Sequence, residues 1–189
     1  MNEADAGQLT EDIWGQSDPS ENAGAALILP EPVDEVLADA APARIIEVGR
    51  KDVPRREATA ECTIHMSTEA VSALMAGTTK GDPLEAAKVA GLMGAKRTSD
   101  LLPFCHPIAL TGASVRLEPD PKGGEIRIQT TVKASDRTGV EMEALTAAAV
   151  AALSLYDTAK AFDRGAEIGG LRLVAKSGGK SGDWRRNTR

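Results

Sequence analysis

The stretch from Val140 to Phe162, VEMEALTAAAVAALSLYDTAKAF, constrains the fold of this chain more than any other. It holds no Gly or Pro and is rich in Ala and Leu, residues that favour a helix. Apolar side chains occupy nearly its whole circumference from Ala147 to Leu153 and return at Leu155 and Tyr156. A helix of that kind must be covered on several sides, by a sheet beneath it and by other elements beside it.

The flanking segments can supply that cover. EATAECTIHMS, from Glu57 to Ser67, alternates as a strand does. Thr68 is read as the N-cap of a short helix from Glu69 to Met75, which Gly77 ends. Lys80-Gly81-Asp82-Pro83 is read as a turn, with Pro83 opening a helix that runs to about Arg97 and buries a broad face of small residues. LLPFCHPI contains Pro103 and Pro107 and is read as a stiff, non-helical loop. Strands are expected at Ala113 to Glu118 and Glu125 to Lys133, joined by the hairpin PDPKGG, and a last strand at Leu171 to Lys176. This order is the βαββαβ of a ferredoxin-like α+β subunit, with an antiparallel sheet covered by helices on one face. No helix is left for the other face, so self-association is expected.

At 189 residues and 42% hydrophobic composition, the chain suits one core. No run approaches the roughly 18 apolar residues of a membrane span, and the first 25 residues lack the basic start of a signal peptide, so a cytoplasmic protein is expected. The net charge of −6 is unevenly placed. Residues 1–42 hold ten of the 28 acids and no Lys or Arg, leaving 22 bases against 18 acids in the remainder. Residues 1–42 are read as a disordered acidic extension, with Ala25 to Leu29 as a transient contact. The rest is mildly basic and suits an anionic ligand. Aromatic residues make up only 3%, too few for nucleic-acid stacking platforms. Cys62 and Cys105 have no metal-ligand spacing, and neighbours such as Cys105 and His106 point apart on an extended chain, so no metal site is expected.

Polar residues in apolar surroundings carry the chemistry. Asp157 and Lys160 interrupt the long helix at a spacing of i, i+3, where a desolvated pair would be tuned for proton transfer. Glu141 and Glu143 fall in the first turn, where acids favour the helix dipole whether or not they do chemistry. Glu143 and Asp157 share a face to within about 40° but lie about 21 Å apart along the axis. One small reacting centre cannot touch both on a straight helix: either only one is catalytic or two subunits build the site. His106 is placed to carry a proton or bind phosphate. Lys80 lies near a helix start suited to anions, and His65 is read as structural. AKSGGKSGDW resembles a phosphate-binding loop only at Gly179-Lys180-Ser181: Val174 stands where the first glycine belongs, and no helix follows.

Together KGD (80–82), AKRTSDLLPFCHP (95–107), TGVEMEALTAA (138–148), YDTAKA (156–161) and LVAKSGGKSG (173–182) resemble the cyclic pyranopterin monophosphate synthases of molybdenum cofactor biosynthesis, the accessory protein C family. The resemblance covers residues 43–184, with residues 185–189 as a basic tail. It implies a lyase that converts 3′,8-cyclo-7,8-dihydroguanosine 5′-triphosphate to cyclic pyranopterin monophosphate and releases diphosphate. It also implies a homohexamer, a trimer of dimers, with active sites between subunits. Asp157 resembles the principal acid/base and Lys160 its partner. Phe104, Cys105, His106, Met142 and Glu143 resemble substrate contacts, Lys80 and Lys176 further active-site lysines, and Glu141 a supporting carboxylate. No cofactor is implied, and any Mg²⁺ would arrive with the triphosphate. The other readings are a nucleotide-binding module without activity and an inactive paralogue. Two departures stand out: Glu47 in IIEVGRK occupies a position where the family has aspartate, and the acidic extension is unusual.

Overall fold

The computed structural model describes residues 54–180 and 182–187. The acidic extension, its Ala25–Leu29 contact and Glu47 lie outside these residues. Strand β1 (Arg55–His65) turns Ala58, Ala60, Cys62 and Ile64 to one side, all buried, as the alternating letters predict. It lies at the centre of a five-stranded antiparallel sheet in the order β2-β3-β1-β4-β5, with β2 (Leu110–Asp120), β3 (Glu125–Ser135), β4 (Glu167–Ser177) and β5 (Trp184–Arg185). Strands β2 to β4 extend beyond their expected ends. Strand β5 is a two-residue addition that the sequence reading did not anticipate.

Between β1 and β2 come α1 (Thr68–Ala76), α2 (Pro83–Lys96) and the single turn α3 (Thr98–Leu101). The cap of α1 is Ser67 rather than Thr68, because the Ser67 hydroxyl accepts the Ala70 N–H at 3.2 Å. Asp82 caps α2, accepting from Leu84 at 2.8 Å and Glu85 at 3.2 Å, while Pro83 occupies the position that needs no N–H. Turn α3 was not expected. It takes in Leu101, the first residue of the expected loop, and the buried Thr98 hydroxyl donates to the Gly94 and Ala95 carbonyls.

The long helix, α4 (Glu141–Ala159), buries Ala144, Ala147, Ala148, Ala151, Ala152 and Leu155 against the sheet and α2. Its small residues allow close approach. A Cβ on Gly91 of α2 would stand 3.0 Å from the Ala147 carbonyl oxygen, and one on Gly94 would stand 2.9 Å from Val150 Cβ. Two buried hydrogen bonds fix the helix on the sheet: Thr130 Oγ1 donates to the Ala144 carbonyl at 2.8 Å, and Cys62 Sγ to the Ala148 carbonyl at 3.4 Å. Burial pushes the Cys62 thiol up to about 12, so it stays protonated as a packing group.

The opposite face of the sheet corrects one expectation. It is polar and held by cross-strand pairs: Arg172 with Glu61 at 2.6 Å, Lys133 with Glu57 at 3.1 Å, and Thr59 with Thr131 at 3.1 Å. An antiparallel sheet can leave such a face in water, so this face does not itself require a covering partner. Several exposed apolar side chains lie on the helices, with Val89, Met93 and Leu101 each more than half exposed around a groove beside α2. Among the described residues no helix is long and apolar enough to cross a membrane.

Candidate active site

Helix α4 carries ionisable residues at both ends, and each end meets a different loop. At its C-terminal end Lys160 Nζ lies 2.7 Å from Asp157 Oδ1. The Lys160 hydrogen bond and charge hold the Asp157 carboxyl below its ordinary range, and the charge of Lys80 adds to this. Asp157 in turn raises the Lys160 ammonium. Lys80 stands in the tight loop before α2, where Thr78 and Gly81 bridge and the Lys80 N–H donates to Thr78 Oγ1 at 3.2 Å. An open cavity of about 760 Å³ borders this loop, lined by Met75, Thr78, Thr79, Asp82 and Phe162.

The expectation that Asp157 and Lys160 form a desolvated pair is not met in the single chain. Their side chains are 73% and 56% exposed, because the last turn of α4 presents this edge away from the sheet. The two pKa values move apart through the mutual hydrogen bond and charge, not through burial. A buried acid–base pair therefore does not distinguish an enzyme from a binding module here.

The N-terminal end of α4 is more enclosed. Lys176, near the end of β4, reaches Glu141 with Nζ 3.3 Å from Oε1, both side chains being about three-quarters covered. The strand register explains this reach: Lys176 lies opposite Ala58, so its side chain faces the helices. Glu143 is only 4% exposed, and its Oε2 has no hydrogen-bond partner. Burial raises the Glu143 carboxyl most, and Glu141 and Asp136 add to this against the pull of its own backbone N–H. Burial also raises the Cys105 thiol, and the charge of Glu143 raises it further. Phe104 and Met142 are exposed at this end, and His106 is half-buried in the same loop as Cys105.

The expected residues thus fall into two groups. Lys80, Asp157 and Lys160 gather at one end of α4. Glu141, Glu143, Met142 and Lys176 gather at the other, with the loop of Phe104, Cys105 and His106 beside them. About 21 Å of helix separates Glu143 from Asp157. His65 lies outside both groups, at the exposed end of β1 and 3.4 Å from Glu125. Among the described residues no three His, Cys, Asp or Glu side chains are grouped to hold a metal ion. The sequence reading gave no role to Thr78, Thr79 or Phe162, whose only sequence signal was adjacency to Lys80 and Lys160.

A profile of the MoaC family matches residues 45–179, a span that includes both groups. Over 143 residues the chain is 50% identical to the cyclic pyranopterin monophosphate synthase of Brucella ovis, covering 75% of this chain and 87% of that one. It is 49% identical to the protein of the same name from Brucella canis over an equal span, with the same coverage. It is also 49% identical over 145 residues to that of Chloroflexus aggregans, covering 76% and 88% of the two chains.

Proposed function

The chain belongs to the MoaC family, and from that premise we propose that it acts as a lyase in molybdenum cofactor biosynthesis. It converts 3′,8-cyclo-7,8-dihydroguanosine 5′-triphosphate to cyclic pyranopterin monophosphate and releases diphosphate. The observation that carries this reading is the 50% identity to a synthase of that name over 143 residues. Residues 43–184 form the synthase domain, with residues 1–42 an extension without activity and residues 185–189 a tail. The β2-β3-β1-β4 order, with helical crossovers from β1 to β2 and from β3 to β4, supports a ferredoxin-like subunit. The protein works in the cytoplasm.

The reaction needs protons moved at ring and ribose carbons, and it needs cations against the triphosphate as diphosphate leaves. Asp157 is the principal acid/base, and Lys160, 2.7 Å away, exchanges the proton with it. The charge of Lys80 adds to the lowering of the Asp157 carboxyl that Lys160 dominates, and Lys80 meets substrate phosphate. At the other end of α4, Lys176 supplies a second cation, steadied by Glu141. Glu143, Met142 and the Phe104-Cys105-His106 loop contact the ring and the phosphates. Glu141 is paired with Lys176 and Glu143 is enclosed, so they form no cage for a divalent ion, and any Mg²⁺ arrives with the triphosphate.

Two groups about 21 Å apart cannot close on one nucleotide within one chain. A homohexamer built as a trimer of dimers solves this, by setting the Asp157 end of one subunit against the Glu143 end of another. The exposed apolar face of α2 supports such association. The test is to supply the cyclised GTP intermediate to the full chain and to measure diphosphate and pterin. Asp157→Asn is expected to lower turnover by about a hundredfold or more while substrate still binds. Near-normal diphosphate release by that variant would remove Asp157 from the mechanism.

A further inference from the structure

Strand β5 lies beyond the span that the family profile matches, yet it is built onto the candidate site. Its pairing with β4 sets Trp184 directly opposite Lys176 and Arg185 opposite Ala175. Opposite residues of an antiparallel ladder project to the same face with Cβ atoms about 5 Å apart. Trp184 therefore stands beside the lysine that reaches Glu141, on the helix side of the sheet edge. Its neighbour Arg185 alternates to the other face, and a cavity at this sheet edge is lined by Lys176, Trp184 and Arg185 together with Glu57 and Thr59.

Trp184 is held there with one face of its ring engaged. The Arg186 guanidinium carbon lies 5.6 Å from the ring centroid, a cation–π distance. Arg186 is itself fixed by two bonds to β4: its backbone N–H donates to the Val174 carbonyl at 2.8 Å, and Nε to the Leu173 carbonyl at 2.8 Å. The loop before β5 is also tied, since the Gly178 N–H donates to Asp183 Oδ1 at 3.2 Å. Even so, Trp184 remains 40% exposed. A large ring braced by a cation, partly open and next to a half-buried lysine, suits a flat heterocycle that carries phosphate.

We propose that Trp184 is a stacking platform for the fused ring of the substrate, with Arg186 bracing it from behind and Lys176 meeting the anionic part. The assignment rests on the proposed function for the identity of the ring, but its test separates the two. Trp14 and Trp184 are the only tryptophans, so Trp14→Phe leaves Trp184 as the sole indole reporter. In that background GTP is expected to quench the fluorescence saturably, and inorganic tripolyphosphate, which has no ring, is expected not to. Trp184→Ala is expected to raise KM for the cyclised intermediate about tenfold with kcat little changed, and Trp184→Phe to recover most of that loss. Absence of a GTP quench overturns the proposal, as does a KM for Trp184→Ala within about twofold of the parent. So does a Trp184→Ala defect confined to subunit assembly. Failure of the parent to release diphosphate would instead count against the proposed function, with the quench still reporting on the stacking.

Discussion

Glu143 and Asp157 show how strongly local surroundings separate two acids on one helix. Asp157 faces outward and is held ionised by Lys160 and Lys80. Glu143 is enclosed, has an unpartnered oxygen and is raised by burial. A raised carboxyl binds its proton more tightly in the folded state than in the unfolded one. Its contribution to stability is therefore complete below the ordinary glutamate range and lost as pH rises through the raised folded value. Replacing Glu143 with Gln is expected to raise the melting temperature at pH 8, where burial penalises the ionised form of the parent's carboxyl, and to make little difference at pH 4. Thermal unfolding across that range checks this, and a larger gain at pH 4 would contradict it. Lys176→Ala removes the partner of Glu141, and kcat/KM for diphosphate release is expected to fall about tenfold. A variant indistinguishable from the parent would return Lys176 to a structural role. The chemistry-bearing letters were legible in the sequence at these positions, but their burial was not. The apolar neighbours of Asp157 suggested enclosure, whereas the actual packing turns its edge of α4 outward.

At the level of elements, the contact between α2 and α4 depends on two glycines. Alanine is the better helix former by about 1 kcal/mol, so propensity alone favours Gly94→Ala. The structure reverses that sign, because the added methyl would stand 2.9 Å from Val150 Cβ and Cγ2 on the facing helix, and a β-branched side chain cannot swing away. Overpacking costs about 1–3 kcal/mol, so the variant is expected to be destabilised by about 1 kcal/mol and to melt lower. A more stable Gly94→Ala protein would mean that the helices can separate without loss. The helices and most strands could be read from periodicity and punctuation, such as Pro83 after Asp82 and Gly77 after α1. Turn α3 and strand β5 were missed for a physical reason. Both are too short to show a period, and both exist because neighbours hold them: Thr98 bonds back to α2, and Arg186 bonds to β4.

For the whole molecule, the main consequence of the fold is that α4 acts as a spacer. It holds Lys80, Asp157 and Lys160 at one end and Glu141, Glu143 and Lys176 at the other. If two subunits complete each site, chains defective at opposite ends should complement one another. Mixing Asp157→Asn with Lys176→Ala subunits, after dissociation and reassembly, is expected to restore parental chemistry at about one quarter of the sites. Diphosphate release by the mixture at the sum of the separate variants would show that each chain works alone.

Sequence by itself determined the order of the longer elements, the helical character of Val140 to Phe162, the family and the residues with chemical capacity, because these follow from local patterns and short motifs. Only the tertiary structure decided which of those residues meet. Strand register turned Lys176 toward Glu141 and set Trp184 beside it. Packing enclosed Glu143 and left Asp157 in water. The sheet's second face proved to be a polar surface of paired charges rather than one in need of cover. Alternation told which side of β1 would be buried, but which strand residues face one another and how far each helix end is covered are set by contacts between segments distant in the chain.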